Sequence, residues 1–151
     1  MRTIAIALIG ALAAASTAHA QDAFPETQSE HYQAGQKFAS CSAYFRYGAI
    51  LARRNGLVDT AVAIEGMERG WKVAGMFLLV DGLDEPRRVQ TEVIFDNFQE
   101  IKLDQIKASH EIAEARGASF DPAAEFQAEC GTWSVMQKVI IQAMRAGPSS
   151  Q

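Results

Sequence analysis

One segment, residues 29–56, predicts the fold most clearly: SEHYQAGQKFASCSAYFRYGAILARRNG. Its apolar residues recur at three- and four-residue steps, the spacing of one face of an α-helix. They are Ala34, Phe38, Cys41, Phe45, Ala49 and Ala52. Ser29 is an expected N-cap, and Asn55-Gly56 is a common stop signal for a helix. We therefore expect a long amphipathic first helix.

Three further helical patterns follow this segment, at about residues 59–80, 86–116 and 121–147. Asp121-Pro122 places a capping residue before a proline, which favours a helix start. Gly117 and Gly147-Pro148 are expected ends of helices. Short connections favour antiparallel neighbours. The sequence thus predicts an all-α fold, a single antiparallel four-helix bundle with up-down-up-down topology.

Two cysteines, Cys41 and Cys130, belong to the predicted first and last helices. Those helices are adjacent in an up-down-up-down bundle, so a disulfide between them is compatible with the fold. The chain-entropy model gives a loop of about 90 residues a stabilisation of about 4 kcal/mol. A redox-active thiol and an intermolecular bond are the alternatives, and the chain has no C-x-x-C spacing to support them. We expect one disulfide stapling the bundle.

The amino terminus has the pattern of an export signal. Arg2 precedes an apolar run over residues 4–15, and Ala18-His19-Ala20 has the form of a cleavage site. We expect residues 1–20 to be a cleaved signal peptide, 21–28 a flexible arm, 29–147 the helical domain and 148–151 a tail. This predicts export to the periplasm, with the extracellular space as the alternative, and no integral membrane segment after signal removal. An oxidising destination also favours the disulfide.

The chain is acidic, with 14 basic and 18 acidic side chains and a formal net charge of −4. Removal of the predicted signal makes it more acidic, because Arg2 is lost and no acid is. An acidic surface argues against binding to phosphate backbones. Nucleic acid is therefore not an expected partner.

No pattern of catalytic residues, metal ligands or cofactor ligands emerges from the sequence. The nucleophile elbow G-x-S-x-G and the haem motif C-x-x-C-H are absent. Lys107 stands three residues before His110, where a di-iron bundle has glutamate. His110 is accordingly interpreted as a solvated surface residue. We expect no catalytic residue, no metal and no cofactor.

The second half of the first helix is rich in aromatic and basic residues, the types enriched at interface hot spots. The candidate interaction face consists of Tyr44, Tyr47, Leu51, Arg46, Arg53 and Arg54. It predicts an exported, non-enzymatic module that binds a protein partner, in the manner of an inhibitor or immunity protein. The alternative is that both tyrosines pack inside the bundle.

The second helix carries a ridge of small residues, Ala63, Gly66, Gly70 and Ala74. A glycine inside a helix is less favourable than alanine by about 1 kcal/mol, so this ridge has a packing or functional reason. We expect a tight helix crossing. The alternative is a cavity lined by Gly66, Gly70, Trp71 and Trp133 that carries a small apolar ligand or haem. An enzyme of unrecognised type is the second alternative function.

Overall fold

The computed structural model describes residues 25–146, and within that range the regular structure is entirely α-helical. The six helices are α1 (Gln28–Arg54), α2 (Val58–Gly82), α3 (Glu85–Arg88), α4 (Thr91–Ala115), α5 (Pro122–Cys130) and α6 (Trp133–Ala146). The predicted all-α class is confirmed. The predicted signal (1–20) and tail (148–151) lie outside the described residues.

The four-helix bundle itself is not confirmed, because two of the predicted helices are each divided. The third breaks at residues 89–90, where the short α3 ends and the Thr91 hydroxyl donates to the Arg88 carbonyl at 2.6 Å. The fourth breaks after Gly131, whose Cβ position lies only 2.6 Å from the Gln127 carbonyl oxygen. This close approach excludes a side chain at the break.

The first helix begins two residues earlier than a Ser29 N-cap would place it. Thr27, and not Ser29, is the N-cap: its hydroxyl accepts from the Glu30 backbone N–H at 3.2 Å, and the Glu30 carboxylate accepts from the Thr27 N–H at 3.0 Å. This reciprocal pair is a capping box. Gln28 therefore belongs to α1 rather than to the predicted arm.

The most extensive helix contact joins α1 and α2, which run antiparallel. Glycines let the two backbones approach: a Cβ at Gly82 would lie 2.4 Å from the Tyr32 backbone nitrogen, and one at Gly35 would lie 2.6 Å from Leu79 Cγ. Gly75 is equally enclosed, with its Cβ position 2.5 Å from Phe95. The tight crossing thus uses these three glycines, and not Gly66 and Gly70 as predicted.

Helix α4 packs against α1 and α2 around one buried amide. Gln99 donates to the Ser42 hydroxyl at 2.9 Å and to the Glu68 carboxylate at 2.8 Å, while its carbonyl accepts from Arg46 at 2.9 Å. Among residues 25–146, no buried side-chain nitrogen or oxygen lacks a hydrogen-bond partner. Satisfied polar groups of this kind help to select one packing of the helices.

The predicted disulfide is present. Cys41, in the middle of α1, is bonded to Cys130, the last residue of α5, and both are fully buried. The bond closes a loop with a sequence separation of 89 residues. It therefore ties the carboxyl-terminal part of the chain to the helix that contacts α2, α4 and α5.

We predict that the double variant Cys41→Ala/Cys130→Ala melts at a temperature lower by roughly 10 °C. Loss of a native disulfide of this loop length costs about 2–5 kcal/mol, and 1 kcal/mol shifts the melting temperature of such a domain by a few degrees. Circular dichroism measures the change. An unchanged melting temperature, or two titratable thiols in the native wild-type protein, would contradict the structure.

We also predict opposite effects for two glycine-to-alanine changes in α2. Gly75→Ala destabilises the fold by about 1–3 kcal/mol, because the new methyl group overpacks against Phe38 and Phe95. Gly66→Ala stabilises it by about 0.5–1 kcal/mol. No atom lies nearer than 3.8 Å to the added Cβ, and alanine reduces the conformational freedom of the unfolded chain. Urea denaturation of both variants gives the comparison. Equal changes in the free energy of unfolding would show that Gly75 does not lie at a close helix contact.

Candidate binding groove

The two tyrosines of the predicted interaction face lie inside the fold. Tyr44 is 6% exposed and Tyr47 is 5% exposed. The Tyr44 hydroxyl donates to Glu129 at 2.7 Å, and its ring meets Phe126 of α5 edge-on at 6.1 Å. The alternative given for these residues, that both tyrosines pack inside the bundle, is therefore what the structure shows, because α5 and the segment before it cover that side of α1.

The arginines of the same predicted face are largely engaged within the chain. Arg46 pairs with Glu100 of α4 at 2.6 Å, and Arg53 pairs with Glu65 of α2 at 2.6 Å. Leu51 is half-buried against the core, and Arg54 is exposed at the end of α1. The six residues do not form one continuous surface.

His110 was interpreted as a solvated residue, and the structure corrects this. Its ring is stacked on Phe120 with a centroid distance of 5.1 Å, and Nδ1 is hydrogen-bonded to the Tyr47 hydroxyl. Nε2 lies 3.3 Å from Glu114. The i,i+4 pair of His110 and Glu114 was visible in the sequence, but the tyrosine comes from another helix and carried no local signal.

One face of α2 is turned to solvent and is almost entirely small or apolar. Its residues recur at alternating steps of four and three: Gly66, Gly70, Val73, Phe77 and Val80. The three large ones, Val73, Phe77 and Val80, remain 44%, 42% and 40% exposed. A contiguous apolar face of this kind commonly marks an interaction surface.

Beside this face, α2 and α6 enclose an open groove of about 750 Å³. Its floor contains the aromatic rings of Phe45, Trp71 and Phe126. The walls come from α2 (Gly66, Met67, Gly70, Val73) and α6 (Gln137, Ile141, Met144). We call this space the α2–α6 groove.

The α2–α6 groove brings together three of the four residues of the predicted cavity, Gly66, Gly70 and Trp71. The fourth, Trp133, instead packs edge-on against Phe38 at 6.0 Å. A Cβ at Gly66 would have no neighbour closer than the Arg69 side chain at 3.8 Å. Gly66 therefore faces open space, whereas a Cβ at Gly70 would lie 2.9 Å from the Gln137 side chain of α6.

A second pocket of about 340 Å³ continues the groove towards the start of α5. The two spaces share Phe45, Met67 and Phe126. The second is lined further by Leu51 and Ile64, so its surface is again apolar. Leu51 is the one residue of the predicted interaction face, besides Tyr44, that borders this continuous space.

Charged residues of one sign line the α2–α6 groove. Arg69 stands on the α2 side, and Lys138 and Arg145 stand on α6. No acidic residue of the described chain is part of the lining. The groove is thus locally cationic on a chain with a formal net charge of −4.

Glu129 holds α5, and with it the Phe126 ring, in place. Its carboxylate accepts from Lys102 at 2.6 Å, Tyr44 at 2.7 Å and Lys37 at 3.1 Å. Burial alone would raise the pKa of Glu129, but these hydrogen bonds and charges outweigh it and lower the pKa to about 2. Burial and the Glu129 carboxylate raise the pKa of Tyr44 above its usual range.

Residues 25–146 contain no group of three or more histidine, cysteine or acidic side chains placed to hold a metal ion. No helix in this part of the chain combines the length and apolar character needed to cross a bilayer. Comparison of the chain with protein-family models, with curated proteins and with solved structures finds no match. The α2–α6 groove is therefore the feature from which a function is proposed below.

We predict that Glu129→Gln lowers stability at pH 7 and that this difference shrinks as the pH falls from about 4.5 towards 2. The folded-state pKa of about 2 lies below the ordinary value of 4.5, so the stabilisation is complete above pH 4.5 and lost below it. Urea denaturation across this pH range measures it, with Glu85→Gln as the exposed control. A difference that stays constant down to pH 2 would contradict the assigned contacts.

Proposed function

We propose that this chain is an exported, non-enzymatic binding module that holds a segment of a partner protein in the α2–α6 groove. The observation that carries the proposal is an aromatic floor left open between two helices. Phe45, Trp71 and Phe126 form that floor; Trp71 is only 4% exposed, whereas Met67 and Val73 beside it are 49% and 44% exposed. Binding of a partner would remove this apolar surface from water, which is the main driving force of association.

The shape of the groove favours a protein segment over a small molecule. Pockets for small molecules bury about 70–90% of their ligand. Here the lining residues Val73 and Met144 remain exposed along the edges. Two helical walls beside an apolar floor suit the helix-in-groove mode, in which apolar residues at one-turn intervals insert between helices. An inhibitor or immunity-type protein belongs to this class.

The fold supports binding by forming the groove before the partner arrives. Cys130 and Glu129 attach α5 to α1, and α6 follows α5 after a two-residue turn. Ordering interface side chains and loops reduces affinity by about 0.5–1.5 kcal/mol for each mobile side chain. Because α6 is already attached to the core, part of this loss of affinity is avoided. This is the role we assign to the disulfide in function, and it accords with export to an oxidising compartment such as the periplasm.

A carrier of a small apolar ligand or haem is the second candidate, and the pocket of about 340 Å³ is the observation that favours it. This volume falls within the range of about 300–1,000 Å³ found for ligand sites. Purified protein would then carry an extractable apolar molecule. The binding-module proposal instead expects none.

We predict that a photoreactive amino acid at Val73 forms crosslinks to a distinct protein when the chain is expressed in its own cells. The same residue placed at Val89, which is strongly exposed between α3 and α4, forms none. Mass spectrometry identifies the adducts. Equal crosslinking from both positions, or lipid adducts from Val73, would contradict the proposal.

Filling the groove should abolish that crosslink without unfolding the protein. Gly66→Trp places an indole in the open space, because no neighbouring atom lies within 3.8 Å of its Cβ position. We predict a loss of crosslinking of at least tenfold. Gly66→Ala is the matched control and keeps the wild-type level. Persistence of the crosslink in Gly66→Trp, with an unchanged melting temperature, would show that the partner does not enter the groove.

A further inference from the structure

The α2–α6 groove differs in charge from the chain that builds it. Arg69, Lys138 and Arg145 line it without an acidic neighbour in the lining. Within residues 25–146, none of the three makes an ion pair or a side-chain hydrogen bond. By contrast, Arg46, Arg53 and other cations at helix contacts are paired with carboxylates. The groove therefore contains three cationic side chains that have no acidic partner within residues 25–146.

The spacing of these cations matches a helical occupant. Lys138 and Arg145 are seven residues apart on α6, which is two helical turns or about 10 Å along the axis. Arg69 stands on the opposite wall. In a helix that lies along the groove, residues seven apart also share one face. Acidic residues seven apart on such a helix would face Lys138 and Arg145 together.

We infer that the partner segment is an acidic amphipathic helix, with apolar residues on the aromatic floor and carboxylates facing Arg69, Lys138 and Arg145. This inference rests on the proposed function and specifies the chemistry of the partner. Apolar contact supplies most of the affinity. The cations select among amphipathic helices, because a basic segment would bring like charges together at the rim.

Three peptides test the selection directly. The first is an 18-residue amphipathic helical peptide with leucine at one-turn intervals and glutamates seven residues apart on its flanks. The second has glutamine, and a third has lysine, in place of those glutamates. Fluorescence anisotropy gives the dissociation constants at low and physiological salt. We expect the glutamate peptide to bind about tenfold more tightly than the glutamine peptide, and the lysine peptide to bind most weakly.

Charge reversal in the protein supplies the matched test. Lys138→Glu should remove the preference for the glutamate peptide and favour the lysine peptide. Arg116→Glu makes the same change in net charge at the exposed end of α4, away from the groove, and should leave the order unchanged. The preference of the wild-type protein should also weaken as salt rises, since exposed charges are screened.

The outcomes separate the inference from the function on which it rests. Equal binding of the three peptides overturns the acidic-helix inference and leaves the binding module intact. Binding of none of them overturns both. The same proteins also test two other occupants of the groove, an anionic membrane surface and a second copy of this chain. Selective binding to phosphatidylglycerol vesicles without peptide binding, or a dimer dissociated by Gly66→Trp in sedimentation equilibrium, would each overturn the inference.

Discussion

The bond between Cys41 and Cys130 is the constraint on which the rest of this structure depends. It joins the middle of α1 to the end of α5, across 89 residues of sequence. The neighbouring Glu129 adds three hydrogen bonds from α1 and α4 to the same point. Helix α6 begins after a two-residue turn and contacts α2. The groove thus has one wall on α2 and one on α6, and α6 is attached to the fold both through this junction and through the buried residues Met136 and Ile140.

The central position of α1 explains why its aromatic residues are used for packing. It contacts α2, α4 and α5, so few of its side chains face solvent. Tyr44 and Tyr47 point their rings into the core and their hydroxyls towards Glu129 and His110. The exposed apolar side chains Val73, Phe77 and Val80 therefore lie on α2, on the side that α1 and α4 do not cover. The binding surface that we propose consists of this open apolar area with cationic side chains at its edge.

The local signals in the sequence predicted local structure well. Helical periodicity, Asp121-Pro122 at the start of α5 and the cysteine pair all correspond to features of the fold. The capping box of Thr27 and Glu30 was also visible and was missed in favour of Ser29. The roles of the glycines were not predictable, because a stripe of small residues looks the same whether a helix or a groove lies against it. The burial of Tyr44 was not predictable for the same reason. It belongs to a helix with two apolar sides, and only the position of α5 decides whether Tyr44 is covered.

We expect α5 and α6 to depend on the disulfide, whereas α1, α2 and α4 support one another. Hydrogen–deuterium exchange, followed by mass spectrometry on the wild type and on a chain without its two cysteines, tests this directly. Loss of amide protection confined to residues 122–146, with protection retained in α1, α2 and α4, is the predicted result. Unchanged protection in 122–146, or a uniform loss throughout the chain, would contradict it.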